Sequence, residues 1–133
     1  MSLTRVKSRL PDELEHLARL TIGSCLAVHR ELGPGMNEGV YSRACCLELK
    51  LRGLAFEKEK PVPIRYRGTL ICQQRIDLFV EGLLILEIKS VERIHAVHVA
   101  QVVGYLRATG TRVGLVVNFN VPILKQGIRR VVL

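Results

Sequence analysis

The spacing of apolar residues predicts two helices in the first part of the chain. Between residues 11 and 32, apolar and small side chains recur at three- and four-residue steps, which is typical of an amphipathic helix. The glycines and proline at 33–35 should end that helix, because neither residue type continues helical backbone well. A second helix is predicted over residues 37–52. The apolar residues that we expect on its buried face are Val40, Ala44, Leu47 and Leu51.

After residue 53 the period of the pattern changes to two, which is typical of β-strands. The strands that this alternation predicts are 56–66, 69–80 and 83–89. The elements predicted after them are a helix at 95–108, a buried strand at 113–117 and a short final strand at 128–133. The order α-α-β-β-β-α-β-(β) indicates a mixed α/β fold with one right-handed crossover. We expect one domain over residues 1–133, in which residues 1–10 form a flexible basic N-terminus.

The charge of the chain favours a polyanionic partner. It carries 20 basic and 12 acidic residues, which give a formal net charge of +8, and nucleic acid is the first candidate for such a protein. The alternative is that many small proteins are basic without binding nucleic acid. No apolar run approaches the roughly 20 residues of a membrane helix, and no apolar segment follows the basic N-terminus. We therefore expect a cytoplasmic protein with no membrane partner.

Charged residues interrupt two of the predicted strands. Asp77 lies near the end of one apolar run, and Glu87-Ile88-Lys89 ends the next. Ionised groups are costly to bury unless they are paired or hold a metal, so these residues suggest a site. Two carboxylates and a lysine around a hard divalent cation, magnesium or manganese, are the working parts of a metal-dependent phosphodiesterase. The alternative is a structural role, in which the acids pair with Arg75 or Lys89.

The turn between these two strands decides whether the acids meet. A three-residue loop at 80–82 places Asp77 opposite Ile85. Glu87 then lies diagonally from Asp77 on the same face of the hairpin, within reach of a shared ion. Lys89 follows Glu87 by two positions and shares that face. A two-residue loop would send Glu87 to the opposite face and break the site.

Three motifs together resemble the PD-(D/E)XK nuclease superfamily. An aspartate at 77 is followed ten residues later by the Glu-x-Lys triplet 87–89, with predicted helices on both sides. Residues 35–41, GMNEGVY, resemble the GxxExxY signature of one small family, and residues 101–105, QVVGY, resemble the Q-x-x-x-Y helix motif of the RecB-like branch. The resemblance covers about residues 20–133, although Ile76 replaces the superfamily's usual proline. It implies a restriction-endonuclease-like core, a central mixed sheet flanked by helices.

The resemblance also implies roles for individual residues. The metal ligands it implies are Asp77, Glu87, the backbone carbonyl of Ile88, and Glu38 as an additional acid. The catalytic residues it implies are Lys89, Asp77, Glu87 and Glu38. The supporting or nucleic-acid-binding residues are Gln101, Tyr105 and Tyr41, to which the charge pattern adds Arg65 and Arg67. Each has a plainer alternative: Glu38 as a solvated helix-end acid, and the tyrosines as ordinary half-buried aromatics.

The function that these expectations indicate is a nuclease that depends on weakly bound magnesium or manganese. DNA is favoured over RNA as the substrate. The alternative is a non-catalytic module on the same fold that binds nucleic acid or another protein. A homodimer or a partner protein would supply specificity, because aromatic residues are only 5% of the chain and offer few platforms for stacking bases. His98 precedes Gln101 by three residues, and we expect it to be a partly exposed structural histidine.

Overall fold

The computed structural model describes residues 10–133. The helices in this part of the chain are α1 (Asp12–Leu32), α2 (Glu38–Leu51) and α3 (Ala96–Thr109), with a short 3₁₀ turn at Leu124–Gly127. The strands are β1 (Phe56–Tyr66), β2 (Thr69–Val80), β3 (Leu84–Lys89), β4 (Val113–Asn118) and β5 (Ile128–Val132). The predicted order of elements is confirmed, including the final strand. No helix in the described part of the chain is long and apolar enough to cross a bilayer.

The five strands form one sheet in the order β1-β2-β3-β4-β5. Neighbouring strands are antiparallel, except that β3 and β4 are parallel and are joined through α3. A parallel pair needs a crossover connection, which α3 provides. The predicted mixed sheet flanked by helices is therefore confirmed. The predicted flexible segment 1–10 lies outside the described residues except for Leu10, whose side chain is buried in the core.

The core lies in two layers, one on each face of the sheet. On one face, alternate residues of β2 and β3 such as Leu78 and Leu86 pack against α1 and α2. On the other face, Phe79 and Ile85 pack with Val102 of α3. This two-sided burial explains why β3 and β4 are almost continuously apolar. It also makes a charged residue in β3 costly unless something compensates for it.

The predicted buried face of α2 is wrong. Val40, Leu47 and Leu51 are exposed in the structure, Leu51 to 73%. The buried residues of this helix are instead Tyr41, Cys45 and Leu49, all at 0% exposure, whereas the predicted Ala44 only packs against the rim of the core. Both sets follow helical spacing, so periodicity alone does not choose between them. The choice follows from packing, because the Tyr41 ring stacks on Phe119, which follows β4.

The hairpin loop has the predicted length but lies one residue further along. Val80 pairs with Leu84, so the loop consists of residues 81–83 instead of 80–82. Glu81 and Gly82 both have left-handed backbone, with φ of 54° and 65°. A non-glycine residue is uncommon there, but Glu81 is held by two hydrogen bonds with Ala55 at 2.8 Å, one through its backbone N–H and one through its carboxylate.

Candidate active site

Strands β2 and β3 separate directly after the pair formed by Leu78 and Leu86. The next residues along the two strands are Asp77 and Glu87, which the shifted loop brings opposite each other. The backbone N–H of Asp77 donates to Oε1 of Glu87 at 3.1 Å, and the N–H of Ile88 donates to Oδ2 of Asp77 at 2.8 Å. Carboxylate oxygens thus replace the backbone acceptors that a continuing ladder would supply. The structure brings the two acids together at the point where the strands fork, which we call the fork.

The partner strand β1 bends at the same level. Lys58 pairs with Leu78, and Lys60 pairs with Ile76. Between these two pairs, Glu59 lies opposite Asp77 without pairing to it, and its backbone is left-handed, with a φ of 48°. Ile76, the residue before Asp77, packs in the core layer between the sheet and α3. Residues 69–75 of β2 are all exposed and pair only with β1. Asp77 is therefore the residue at which the β1–β2 ribbon leaves the sheet, and this explains why its carboxylate remains half-exposed.

Glu87 is the most strongly perturbed acid of the site. Its side chain is 3% exposed. Burial raises its pKa, the negative charge of Asp77 raises it further, and the ammonium of Lys89 opposes the rise, with the result that the pKa of Glu87 is about 8. Two carboxylates in poorly solvated surroundings repel each other, and a divalent cation between them removes that cost.

The donor atoms at the fork suit a hard cation. Two carboxylates and the neighbouring carbonyl of Ile88 offer oxygen ligands only, which magnesium and manganese prefer, and the half-exposed position of Asp77 leaves room for retained waters. No group of three or more histidine, cysteine, aspartate or glutamate side chains in residues 10–133 is arranged to hold one ion. Glu38, predicted as an additional ligand, is therefore not gathered with Asp77 and Glu87.

Lys89 is the last residue of β3 and is half-buried. Its carbonyl accepts a hydrogen bond from the N–H of Phe119 at 2.9 Å, which holds the end of the strand. Its ammonium forms no ion pair with a described acid within 4.0 Å, although its charge lowers the pKa of Glu87. The alternative, in which Lys89 neutralises an acid as a structural pair, has no ion pair within 4.0 Å to support it among the described residues.

The loop before α2 is held against the end of β3. The Tyr41 hydroxyl donates to the carbonyl of Gly33 at 2.6 Å and accepts from the N–H of Met36 at 3.1 Å. The hydroxyl of Ser90, which follows Lys89, donates to the carbonyl of Met36. Tyr41 is fully buried, so the structure places it in the core instead of at a surface that nucleic acid reaches. Its supporting role is to shape this loop.

The same loop leads into the exposed first turn of α2, which carries Glu38. Asn37 caps α2 by accepting a hydrogen bond from the N–H of Val40 at 3.1 Å, which places Glu38 in the exposed first turn. Glu38 lies near enough to His98 to act on its titration, and so does Lys89. Desolvation lowers the pKa of His98, the charge of Lys89 lowers it further, and Glu38 opposes the shift. The end of β3 and the first turns of α2 and α3 therefore converge at one place.

His98 is a neighbour of the site that the sequence interpretation treated only as structural. Its Nδ1 accepts a hydrogen bond from the backbone N–H of His95 at 3.0 Å, so the neutral ring carries its proton on Nε2. The available signal was its position three residues before Gln101, on a similar face of α3. Spacing alone does not show that the charges of Lys89 and Glu38 act on the ring.

The two motif residues of α3 have different surroundings. Tyr105 is 3% exposed. Burial raises the pKa of its hydroxyl, and the charges of Glu87 and Asp77 raise it further, so this hydroxyl faces the fork. Gln101, one helical turn earlier, is exposed. Tyr105 is therefore buried in the core on the α3 side, near enough for the two carboxylates to act on it, whereas Gln101 lies on the open surface.

Arg65 and Arg67 do not lie beside the fork. Arg65 pairs with Leu70, which is seven residues, or up to about 23 Å of extended strand, from Asp77. Arg67 is in the hairpin turn with a φ of 48°, and its guanidinium lies 5.6 Å from the centre of the Tyr66 ring. The strand ends at Tyr66, so the two arginines do not lie on one strand face. Both belong to the outer part of the ribbon.

We expect Tyr41→Phe to destabilise the protein by about 1–3 kcal/mol, because the carbonyl of Gly33 and the N–H of Met36 lose their partner in a partly buried loop. Urea unfolding of the variant and wild type measures this difference. Tyr66→Phe is the matched control, since Tyr66 is 63% exposed and should tolerate the change. Equal stabilities of the Tyr41 variant and wild type would contradict the structural role.

Comparison with known proteins identifies one family. The sequence profile of the PD-(D/E)XK nuclease superfamily matches residues 15–131, which is most of the chain. No curated protein and no solved structure matches the chain significantly. The matched region includes both acids of the fork, Lys89, and the α3 residues Gln101 and Tyr105.

Proposed function

Because the chain belongs to the PD-(D/E)XK nuclease superfamily, we propose that it is a magnesium- or manganese-dependent nuclease of the GxxExxY family that hydrolyses phosphodiester bonds in DNA in preference to RNA. The observation that carries this proposal is the contact between Asp77 and Glu87 at the fork. A buried carboxylate beside a second, half-exposed one costs stability without a cation. A cation bound between Asp77 and Glu87 would offset that cost.

The residues at and around the fork have different proposed roles in hydrolysis. Asp77, Glu87 and the carbonyl of Ile88 are the proposed ligands, and a bound magnesium or manganese ion supplies polarisation of the phosphate and of a nucleophilic water. Lys89 places its ammonium where it stabilises negative charge that develops on the phosphate. Tyr105 supports the carboxylates from the α3 side. Glu38 acts from the rim near Lys89 and His98 instead of as a ligand.

The charge of the chain supports a nucleic-acid substrate. A net charge of +8 attracts a polyanion of either kind, so the preference for DNA rests on the resemblance to the family. Arg65 and Arg67, on the outer ribbon, are proposed to contact phosphates away from the cleaved bond. Phosphate contacts orient the substrate but carry no sequence information, so we expect little sequence preference.

The direct test is a cleavage assay on DNA and RNA substrates with magnesium, manganese or a chelator, comparing wild type with Asp77→Ala. We expect metal-dependent cleavage by wild type and a loss of at least ~100-fold in the variant, because one charged ligand of the ion is removed. Glu31→Ala, a change of an exposed acid at the end of α1, is the control and should cut normally. Wild-type binding without any cleavage would favour a non-catalytic module instead.

A further inference from the structure

A cavity of about 330 Å³ opens beside the fork, between α2 and β1. Asp77 is one of its lining residues, and Gly39, Ser42 and Arg43 of α2 form one wall together with Cys46. These residues follow one another at helical spacing, on a face of α2 that is turned neither to the core nor to its exposed apolar side. The cavity therefore shares Asp77 with the fork and lies along the side of α2.

The opposite wall belongs to β1 and adds a second cation. Lys58 and Glu59 line it. Lys58 thus faces the same cavity as Cys46 of α2, and its ammonium opposes the rise that burial causes in the pKa of the Cys46 thiol. Arg43 and Lys58 form no ion pair with a described acid, whereas Glu59 pairs with Arg75 at 3.7 Å. The two cations of the cavity are therefore available to a ligand, and the nearest wall acid already has a partner.

We infer that this cavity binds a backbone phosphate of the nucleic acid next to the one held at the fork, with Arg43, Lys58 and the Ser42 hydroxyl as its donors. The inference rests on the proposed function, because a strand whose scissile phosphate is at Asp77 presents its neighbouring phosphates to the adjoining walls. Guanidinium, ammonium and hydroxyl groups are the side chains that contact phosphate oxygens in protein–nucleic acid complexes.

The composition of the walls favours a phosphate over a base. Neither wall carries an aromatic ring, so the cavity lacks the platform on which bases stack. Gly39 leaves the mouth open, since a Cβ built there contacts only Oδ1 of Asn37, at 3.4 Å. The site consequently adds affinity that does not depend on sequence.

The test is equilibrium binding of a fluorescent DNA oligonucleotide in chelator, where no cutting occurs, at several salt concentrations. The variant Arg43→Ala/Lys58→Ala should bind more weakly, with the slope of log affinity against log salt reduced by about one to two. The control Arg19→Ala/Arg30→Ala removes the same charge from the exposed surface of α1 and should keep the wild-type slope. Equal slopes and affinities for the two double variants would overturn the inference.

A second pair of variants tests the cavity without changing charge. Gly39→Leu projects a side chain into the cavity and should weaken binding, whereas Gly39→Ala should bind as wild type does, and thermal melts verify that both fold. If the leucine variant binds normally, the cavity is not the phosphate site.

These measurements separate the inference from the proposed function. Cleavage by wild type that is matched in rate and Michaelis constant by Arg43→Ala/Lys58→Ala keeps the nuclease and overturns the inference. Binding that depends on the cavity in a wild type that cuts nothing keeps the inference and overturns the nuclease. Absence of any binding by wild type at low salt overturns both.

Discussion

Replacing Lys89 with alanine is expected to abolish metal-dependent cleavage while leaving the fold and most of the nucleic-acid affinity intact. The ammonium has no ion-pair partner within 4.0 Å among residues 10–133, so its removal breaks no described ion pair. In the proposed mechanism its loss removes a charge that stabilises the transition state, and such losses cost about 100- to 1000-fold in rate. Single-turnover cleavage, measured beside a thermal melt, separates catalysis from stability.

The matched control for this prediction is Lys125→Ala, which removes an exposed lysine from the 3₁₀ turn. It should cut at the wild-type rate. Lys89→Arg keeps the charge but changes its shape and reach, so partial activity is the expected result. A stable Lys89→Ala protein that cuts as fast as wild type would end the mechanism proposed for this residue. A variant that melts early but retains its specific activity would assign Lys89 to structure.

Replacing Glu87 with glutamine is expected to stabilise the metal-free protein at alkaline pH, and to abolish manganese binding. Folding raises the pKa of Glu87 from 4.5 to about 8. The folded chain therefore keeps a proton that the unfolded chain releases. The stability that this carboxyl contributes is fully present below pH 4.5 and is lost as the pH rises through about 8. Glutamine stays neutral and retains an oxygen that accepts from the N–H of Asp77, so it avoids that loss.

The expected stabilisation by Glu87→Gln is large enough to measure by urea unfolding. In chelator at pH 9, the variant should exceed wild type by on the order of 3 kcal/mol in free energy of unfolding, and the difference should shrink toward pH 4.5. Urea unfolding at several pH values measures this trend, and calorimetry measures manganese binding. Glu31→Gln, a change of an exposed acid, is the control and should show no such trend. A variant that is less stable than wild type at pH 9 would show that the carboxylate is not under strain at the fork.

Much of the fold follows from local pattern. The change of period after residue 53 and the glycines at the ends of the helices predict the observed order of elements, because burial on one helix face or on both sheet faces leaves a direct trace in the sequence. Asp77 and Glu87 were recognisable for the same reason. Charged residues within buried strands are costly, so their presence indicated a site before any contact was known.

The tertiary structure decided what local pattern leaves open. Helix α2 has two apolar faces of equal periodicity, and stacking of Tyr41 on Phe119 selects the buried one. The hairpin register depends on Glu81, whose left-handed backbone is held by hydrogen bonds with Ala55, a residue 26 positions away. That one-residue shift places Asp77 opposite Glu87 instead of Ile85.

The same distinction holds within the site. The sequence by itself determined which residue types were present for the proposed metal-dependent chemistry: two acids, a lysine, and a tyrosine on the following helix. It did not determine that Glu38 stays apart from the acid pair, that His98 lies near Lys89, or that Arg43 and Lys58 share a cavity with Asp77. Each of these relations joins elements that are distant along the chain. Only the packing of α2 and α3 against the sheet brings these residues together, and the local pattern of apolar and polar residues does not encode that packing.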